Sequence, residues 1–259
     1  MQTESFHSHT VRCRHASGTE REYIENAIKA GMTKLGFSDH SPYVFEDGYY
    51  SGHRMYPEEF KGYCDTLTAL KAEYAGKIEL HIGLEVEYYP KFFDKFLKLI
   101  EGSPVEYMIL GQHFPENEMG QKGNGAPTDD EERLKLYVRQ TDEAMATGKF
   151  CCFAHPDLIN FTGDRAVYRR HMTKLCENAL KYEMPLEINL LGIRTNRSYP
   201  NPEFWKIVGE VGNDVVCGSD AHEANVVQDQ PSYDKALEMV DRFGLKLHEA
   251  SYILRRHTL

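Results

Sequence analysis

Histidines and carboxylates recur in this chain at one kind of position. The segment FHSHTVRCRHASG, residues 6–18, carries His7, His9 and His15. His7 and His9 stand two apart, so on a strand they face the same side and both can reach one ion. Further along, SDHSP supplies Asp39 and His40, GLEVEY supplies Glu85 and Glu87, and GQHF supplies His113. AHPD brings His155 and Asp157, and GSDAH brings Asp220 and His222. Imidazole and carboxylate are the ligands of zinc, iron and manganese. Seven histidines with Glu85 and Asp220 are too many for one ion and suit two or three. Glu85 sits in an otherwise apolar run, where an unpaired carboxylate is costly, so a bridging ligand is the better reading. Glu87, Asp39 and Asp157 are expected as outer acceptors, salt-bridge partners or turn caps.

Something must bring these residues together. Short apolar segments at residues 5–10, 34–39, 78–86, 107–112, 150–154, 186–190 and 214–218 read as strands. Longer amphipathic segments at 19–30, 57–74, 91–100, 129–147, 166–182, 201–211 and 233–243 read as helices. Thr19 and Glu22 form a capping-box pattern, and Pro57 and Pro202 suit first-turn positions. Gly31 and Gly148 follow helices where a C-terminal cap belongs. Strands alternating with helices imply a parallel sheet. The chemistry-bearing residues fall at the C-terminal ends of separate strands, as in a barrel, and no glycine-rich phosphate loop marks an open-sheet switch point. The remaining histidines differ in position. His53 lies in the loop YYSGHRMYP, His81 lies deeper on the strand of Glu85, His171 lies on a helix, and His248 and His257 are expected to be solvated.

The 259 residues suit one domain over 1–259, without a linker. A net charge of −10 argues against nucleic acid and anionic membranes as partners. The six cysteines show no C-x-x-C spacing and read as reduced, buried thiols. The opening MQTESFHSHT has no signal-peptide pattern, and no apolar run approaches the ~20 residues that span a bilayer, so a cytoplasmic protein is expected. Oligomeric state is not legible.

The ordered set H-x-H-T, S-D-H-S-P, G-L-E-V-E-Y, G-Q-H-F, A-H-P-D, L-E-I-N and G-S-D-A-H resembles the polymerase and histidinol phosphatase (PHP) family, most of all its histidinol-phosphatase branch. The resemblance runs from His7 to about Asn225. It implies a distorted seven-stranded (β/α)7, TIM-like barrel with a trinuclear metal centre at its C-terminal face. Carried over by motif, one ion takes His7, His9, Glu85 and Asp220, and a second takes Glu85, His113 and His155. A third takes His15, His40 and His222. Two positions depart from the family pattern: Ser5 stands where an acid is common, and Arg14 stands in the loop of His15.

The resemblance further implies hydrolysis of a phosphate monoester, L-histidinol phosphate, by a metal-bridging hydroxide. In this reading Asp220 accepts the water proton, and His222 or His40 assists the departing alkoxide. Arg194 and Arg197, after the sixth strand, and Arg165 are candidates to grip phosphate, with Arg14 a weaker one. Glu187 and a mobile loop at 115–128 are candidate neighbours of the substrate ammonium and imidazole. Other readings are a PHP phosphoesterase for nucleotides or phosphotyrosine, a nuclease, and a non-catalytic metal-binding protein.

Overall fold

The computed structural model describes residues 1–46 and 48–255; His257 lies outside them. Eight strands follow one another in chain order around one curled sheet. They are β1 (Glu4–Ser5), β2 (Lys34–His40), β3 (Glu79–Val86), β4 (Tyr107–Leu110), β5 (Cys152–Phe153), β6 (Leu186–Asn189), β7 (Asp214–Gly218) and β8 (Lys246–Leu247). Every neighbouring pair is parallel. The connections carry α1 (Glu20–Lys29), α2 (Phe60–Glu73), α3 (Pro90–Ile100), α4 (Glu131–Ala146), α5 (Arg165–Lys181), α6 (Leu190–Arg194), α7 (Pro202–Val211) and α8 (Gln230–Phe243).

The local signals act as read. Thr19 and Glu22 close a capping box on α1, and Asn201 caps α7, with Pro202 in its first turn. Gly31 and Gly148 take positive φ, 79° and 68°, just past α1 and α4. Two apolar regions result. One joins the helices to the outer face of the sheet. The other fills the inside, where Phe6, Tyr107, Ile109, Cys152 and Val216 meet Ala250 and Ile253. Gly83 makes that interior possible, because a Cβ there would come within 2.3 Å of the Tyr107 ring.

The expected closed ring of seven strands is corrected to an eight-stranded sheet. Among the described residues, edge strands β1 and β8 are not laddered to each other. The eighth strand escapes a periodicity reading because it has two residues, pairing Leu247 with Val215. At the seam a side chain does the work of a ladder, since Ser219 N donates to Ser5 Oγ at 3.1 Å. Just past β1 and β7 the two segments do meet. Ser8 forms a parallel bridge with Ala221, and His9 N donates to Ala221 O at 2.9 Å. Below the seam a 3-10 helix, Ala250–Arg255, packs against β1 and β7 and closes the base. Among the described residues no helix is long and apolar enough to cross a membrane.

Candidate metal centre

The strand ends and the loop of His15 bring the nine predicted ligands together: six line one cavity of about 630 Å³, and His7, His9 and His155 lie buried beneath them. Glu85, the seventh residue of β3, stands at the middle. Its Oε2 lies 3.4 Å from His7 Nε2, 3.5 Å from His9 Nε2 and 3.2 Å from His40 Nδ1. Its Oε1 lies 2.8 Å from His155 Nε2 and 3.4 Å from His113 Nε2. Asp220 Oδ1 lies 3.2 Å from His9 Nε2, 3.6 Å from His7 Nε2 and 3.3 Å from His222 Nδ1. Gly111 leaves room for this, because a Cβ there would come within 2.0 Å of Glu85 Oε1.

These spacings fit shared cations. Two atoms each about 2.1 Å from one ion at a tetrahedral angle stand roughly 3.4 Å apart. Among the described residues, His7 Nε2, both ring nitrogens of His9, His40 Nδ1, His155 Nδ1 and Asp220 Oδ1 are buried without a hydrogen-bond partner. Buried polar atoms are seldom left so, and here several converge on the same space. The donor set is imidazole and carboxylate, which suits zinc, iron and manganese.

A further layer orients the imidazoles. His7 Nδ1–H donates to both oxygens of Glu187 at 2.9 Å. His113 Nδ1–H donates to Glu87 Oε1 at 3.0 Å. Asp39 accepts from Thr10 N at 3.2 Å and lies 3.6 Å from His9 Nδ1. Asp220 Oδ2 accepts from Asn189 Nδ2 at 3.0 Å. Outer carboxylates of this kind fix which nitrogen faces inward. Glu187 is thus a support beneath His7, not a wall of the cavity as expected. Its place on β6 turns it toward the interior.

Charge follows from the crowding. Burial opposes ionisation of Glu85, yet His113 and His7, with a hydrogen bond from His155, hold its carboxyl well below the usual range. Burial likewise opposes ionisation of Asp220, and His7 and His9 hold its carboxyl well below the usual range. Burial and the charge of His9 press the His222 imidazole down to about 3. Burial holds His40 down too, against the pull of Glu85.

The outer face is less buried. His15 Nδ1–H donates to Cys13 O at 2.7 Å, and its Nε2 is 3.0 Å from His222 Nε2. His222 stacks on His9 with centroids 4.0 Å apart. The Cys13 thiol lies in the same cluster as His15 and His222. All six cysteines are buried, and none forms a disulfide.

The arginines separate. Arg197 lines the cavity and donates to Tyr199 Oη at 2.9 Å. Arg194 instead pairs with Asp229 at 3.0 Å and donates to the carbonyls of Ser219 and Asp220, behind the floor. Arg165 lies exposed against Glu203 on the helix side. Arg14 stacks on Tyr56 and pairs with Glu59. His53 lines the cavity near Phe114. His81 is held at the base by Glu106 and Glu79. His248, expected to be solvated, pairs with Asp214 at 2.9 Å and stacks on Tyr252. Loop 115–128, the candidate lid, lines the cavity with Gly123 and Gly125 and is hydrogen-bonded to its surroundings at two points. Asn124 N donates to His113 O at 2.6 Å, and Glu118 accepts from the buried Arg54. Arg54 gave no signal in the sequence, since nothing around it is periodic.

Residues 5–190 match the family described as PHP domain. The probable histidinol-phosphatase of Deinococcus radiodurans is 30% identical over 237 residues, covering 85% of this chain and 86% of that protein. The histidinol-phosphatase of Bacillus subtilis is 32% identical over 120 residues, 44% of this chain and 45% of that protein. Among solved structures, a histidinol phosphate phosphatase of Lactococcus lactis, in complex with zinc, L-histidinol and phosphate, aligns with a TM-score of 0.71 and 21% identity, covering 95% of each chain. That second kind of likeness is one of fold. The extent of the sequence match, together with the strand-end order of its histidines and acids, places this chain in the PHP domain family.

Proposed function

We propose that this chain hydrolyses L-histidinol phosphate to L-histidinol and phosphate, using two or three divalent ions. The observation that carries the reading is the convergence of nine imidazole and carboxylate side chains at ion-sharing distances beneath a cavity of about 630 Å³. The cavity size suits a small phosphate ester. The histidinol-phosphatase names of sequence relatives support the substrate. Six buried thiols that form no disulfide fit a reducing, cytoplasmic setting.

His7, His9, Glu85 and Asp220 would hold one ion, His113 and His155 a second shared through Glu85, and His15, His40 and His222 a third. Such ions supply Lewis acidity toward the phosphoryl oxygens and ease deprotonation of water. The protein's own groups do the rest. Arg197 faces the cavity and grips a phosphoryl oxygen with its planar fork. Asp220, its Oδ1 free of hydrogen bonds, accepts a proton from the attacking water. As the water oxygen bonds to phosphorus and the ester P–O bond breaks, His40 or His222, which would also hold the third ion, assists the departing alkoxide, which takes up the proton released by the water. Phe114, Leu158 and Leu191 give the cavity an apolar wall that takes the imidazole of the substrate and excludes water.

The test is a panel on metal-replete protein: L-histidinol phosphate against p-nitrophenyl phosphate, nucleotides and phosphotyrosine. A marked preference for L-histidinol phosphate is expected, and equal rates on all would remove the substrate assignment. Asp220→Asn and His222→Ala, compared at equal metal content, test the roles. Unchanged turnover in both would remove them.

A further inference from the structure

Among the described residues, Arg54 is the one arginine in the set of fully buried large side chains. It lies between two carboxylates from distant parts of the chain. Its Nη1 donates to Glu87 Oε2 and its Nη2 to Glu87 Oε1, both at 2.9 Å. Its Nε donates to Glu118 Oε2 at 2.9 Å. Nη1 also donates to Ser41 O at 3.1 Å, just past the end of β2. Glu87 Oε1, gripped by that fork, is the same atom that accepts from His113 Nδ1. The far side of His113 then presents Nε2 to Glu85 at 3.4 Å. Glu118, at the other end, belongs to the loop that supplies Gly123 and Gly125 to the cavity wall.

Burying three charges is not a gain in stability by itself, since apolar replacements are often neutral or better. What the arrangement does provide is a rigid path of paired hydrogen bonds from the cavity wall to a predicted ligand. We infer that Arg54 is a positioning residue, which fixes the tautomer and aim of His113 through Glu87 and ties the wall loop to it through Glu118. The inference rests on the metal-dependent reading above. Lysine would keep the charge but lose the planar fork that holds both oxygens of Glu87.

The experiment compares Arg54→Lys, Arg54→Met and Glu118→Gln with the parent, and uses Lys61→Ala, exposed on α2, as a control. Zinc affinity is read by chelator competition with elemental analysis, the His113 tautomer by ring-nitrogen NMR, and turnover by steady-state kinetics on L-histidinol phosphate. Both Arg54 variants should bind their weakest zinc on the order of 10–100-fold less tightly. Both should lose the single Nδ1–H tautomer of His113 and show a lower kcat. Glu118→Gln keeps the Arg54–Glu87 pair, so zinc affinity and kcat should hold while KM rises several-fold. Parent-like zinc affinity in a folded Arg54 variant overturns the inference, as does a Glu118→Gln protein with parent KM. Should neither Arg54 variant fold, Glu118→Gln decides alone by the same KM criterion. The zinc and NMR arms need no substrate. A parent that binds zinc but ignores L-histidinol phosphate would therefore sink the substrate assignment while these arms still decide this one.

Discussion

His7 is clasped by Glu187 through one nitrogen while the other faces Glu85. Both Glu187 oxygens stand 2.9 Å from Nδ1, and Nε2 stands 3.4 Å from Glu85. Gly218 protects the clasp, because a Cβ there would come within 2.0 Å of Glu187 Oε1. Glu187→Gln should weaken zinc binding on the order of 10–100-fold, by loosening the orientation and basicity of His7. Gly218→Ala should act in the same direction by pushing Glu187 aside. Chelator competition on both proteins checks this, and parent affinity in both would contradict it.

His15 is the outermost of the nine, exposed where His7 and His9 are buried. His15→Ala should therefore lose about one metal equivalent per chain and keep the rest. Elemental analysis after dialysis reads the count. A protein stripped of all metal would contradict the three-group division.

Glu106 gives a pH dependence far from the centre. Burial opposes its ionisation, but His81 at 2.9 Å, Lys71 at 2.6 Å and Ile82 N at 3.1 Å outweigh it. The carboxyl is held down to about 2, below its ordinary value of 4.5. The unfolded chain thus takes up this proton first as pH falls. The stabilisation is complete above about pH 4.5 and is lost toward pH 2. Partial exposure limits it to on the order of 1 kcal/mol. Urea unfolding of chelator-treated protein should show a flatter acid limb for Glu106→Gln than for the parent. Identical limbs would contradict the assignment.

Ile253 fills the base of the interior and is 2% exposed. Ile253→Ala should cost about 2–5 kcal/mol by opening a cavity. Thermal melting should show it, with kcat unchanged, because the chemistry lies at the opposite end of the strands. A proportionate fall in kcat at temperatures where the variant is folded would show that the base reaches the site.

The candidate ligand cluster is legible because strand parity and strand ends leave a mark in the sequence. His7 and His9 share a face, and GLEVEY puts Glu85 at the open end of β3. Glu187 was misplaced for a related reason. Parity shows that a β6 side chain points inward but does not show its depth, and Glu187 proves to lie beneath His7. Arg54 could not be found, since its partners Glu87 and Glu118 are 33 and 64 residues away and its loop has no period. β8 and α6 were missed as elements too short for any periodic signal, two and five residues. Arg194 was placed by sequence on the correct side of β6, yet Asp229, 35 residues on, draws it behind the floor.

The bridge between Ser8 and Ala221 also has a meaning in time. The ribosome releases His7 and His9 more than 200 residues before Asp220, and the seam between them can close only after both are made. Closing so long a loop is slow, and its pay-off comes late. The polar floor thus matures only once Asp220 and Ala221 have emerged. In a chain broken off before Asp220, translation would have made the histidines of the opening segment and left them without their seam.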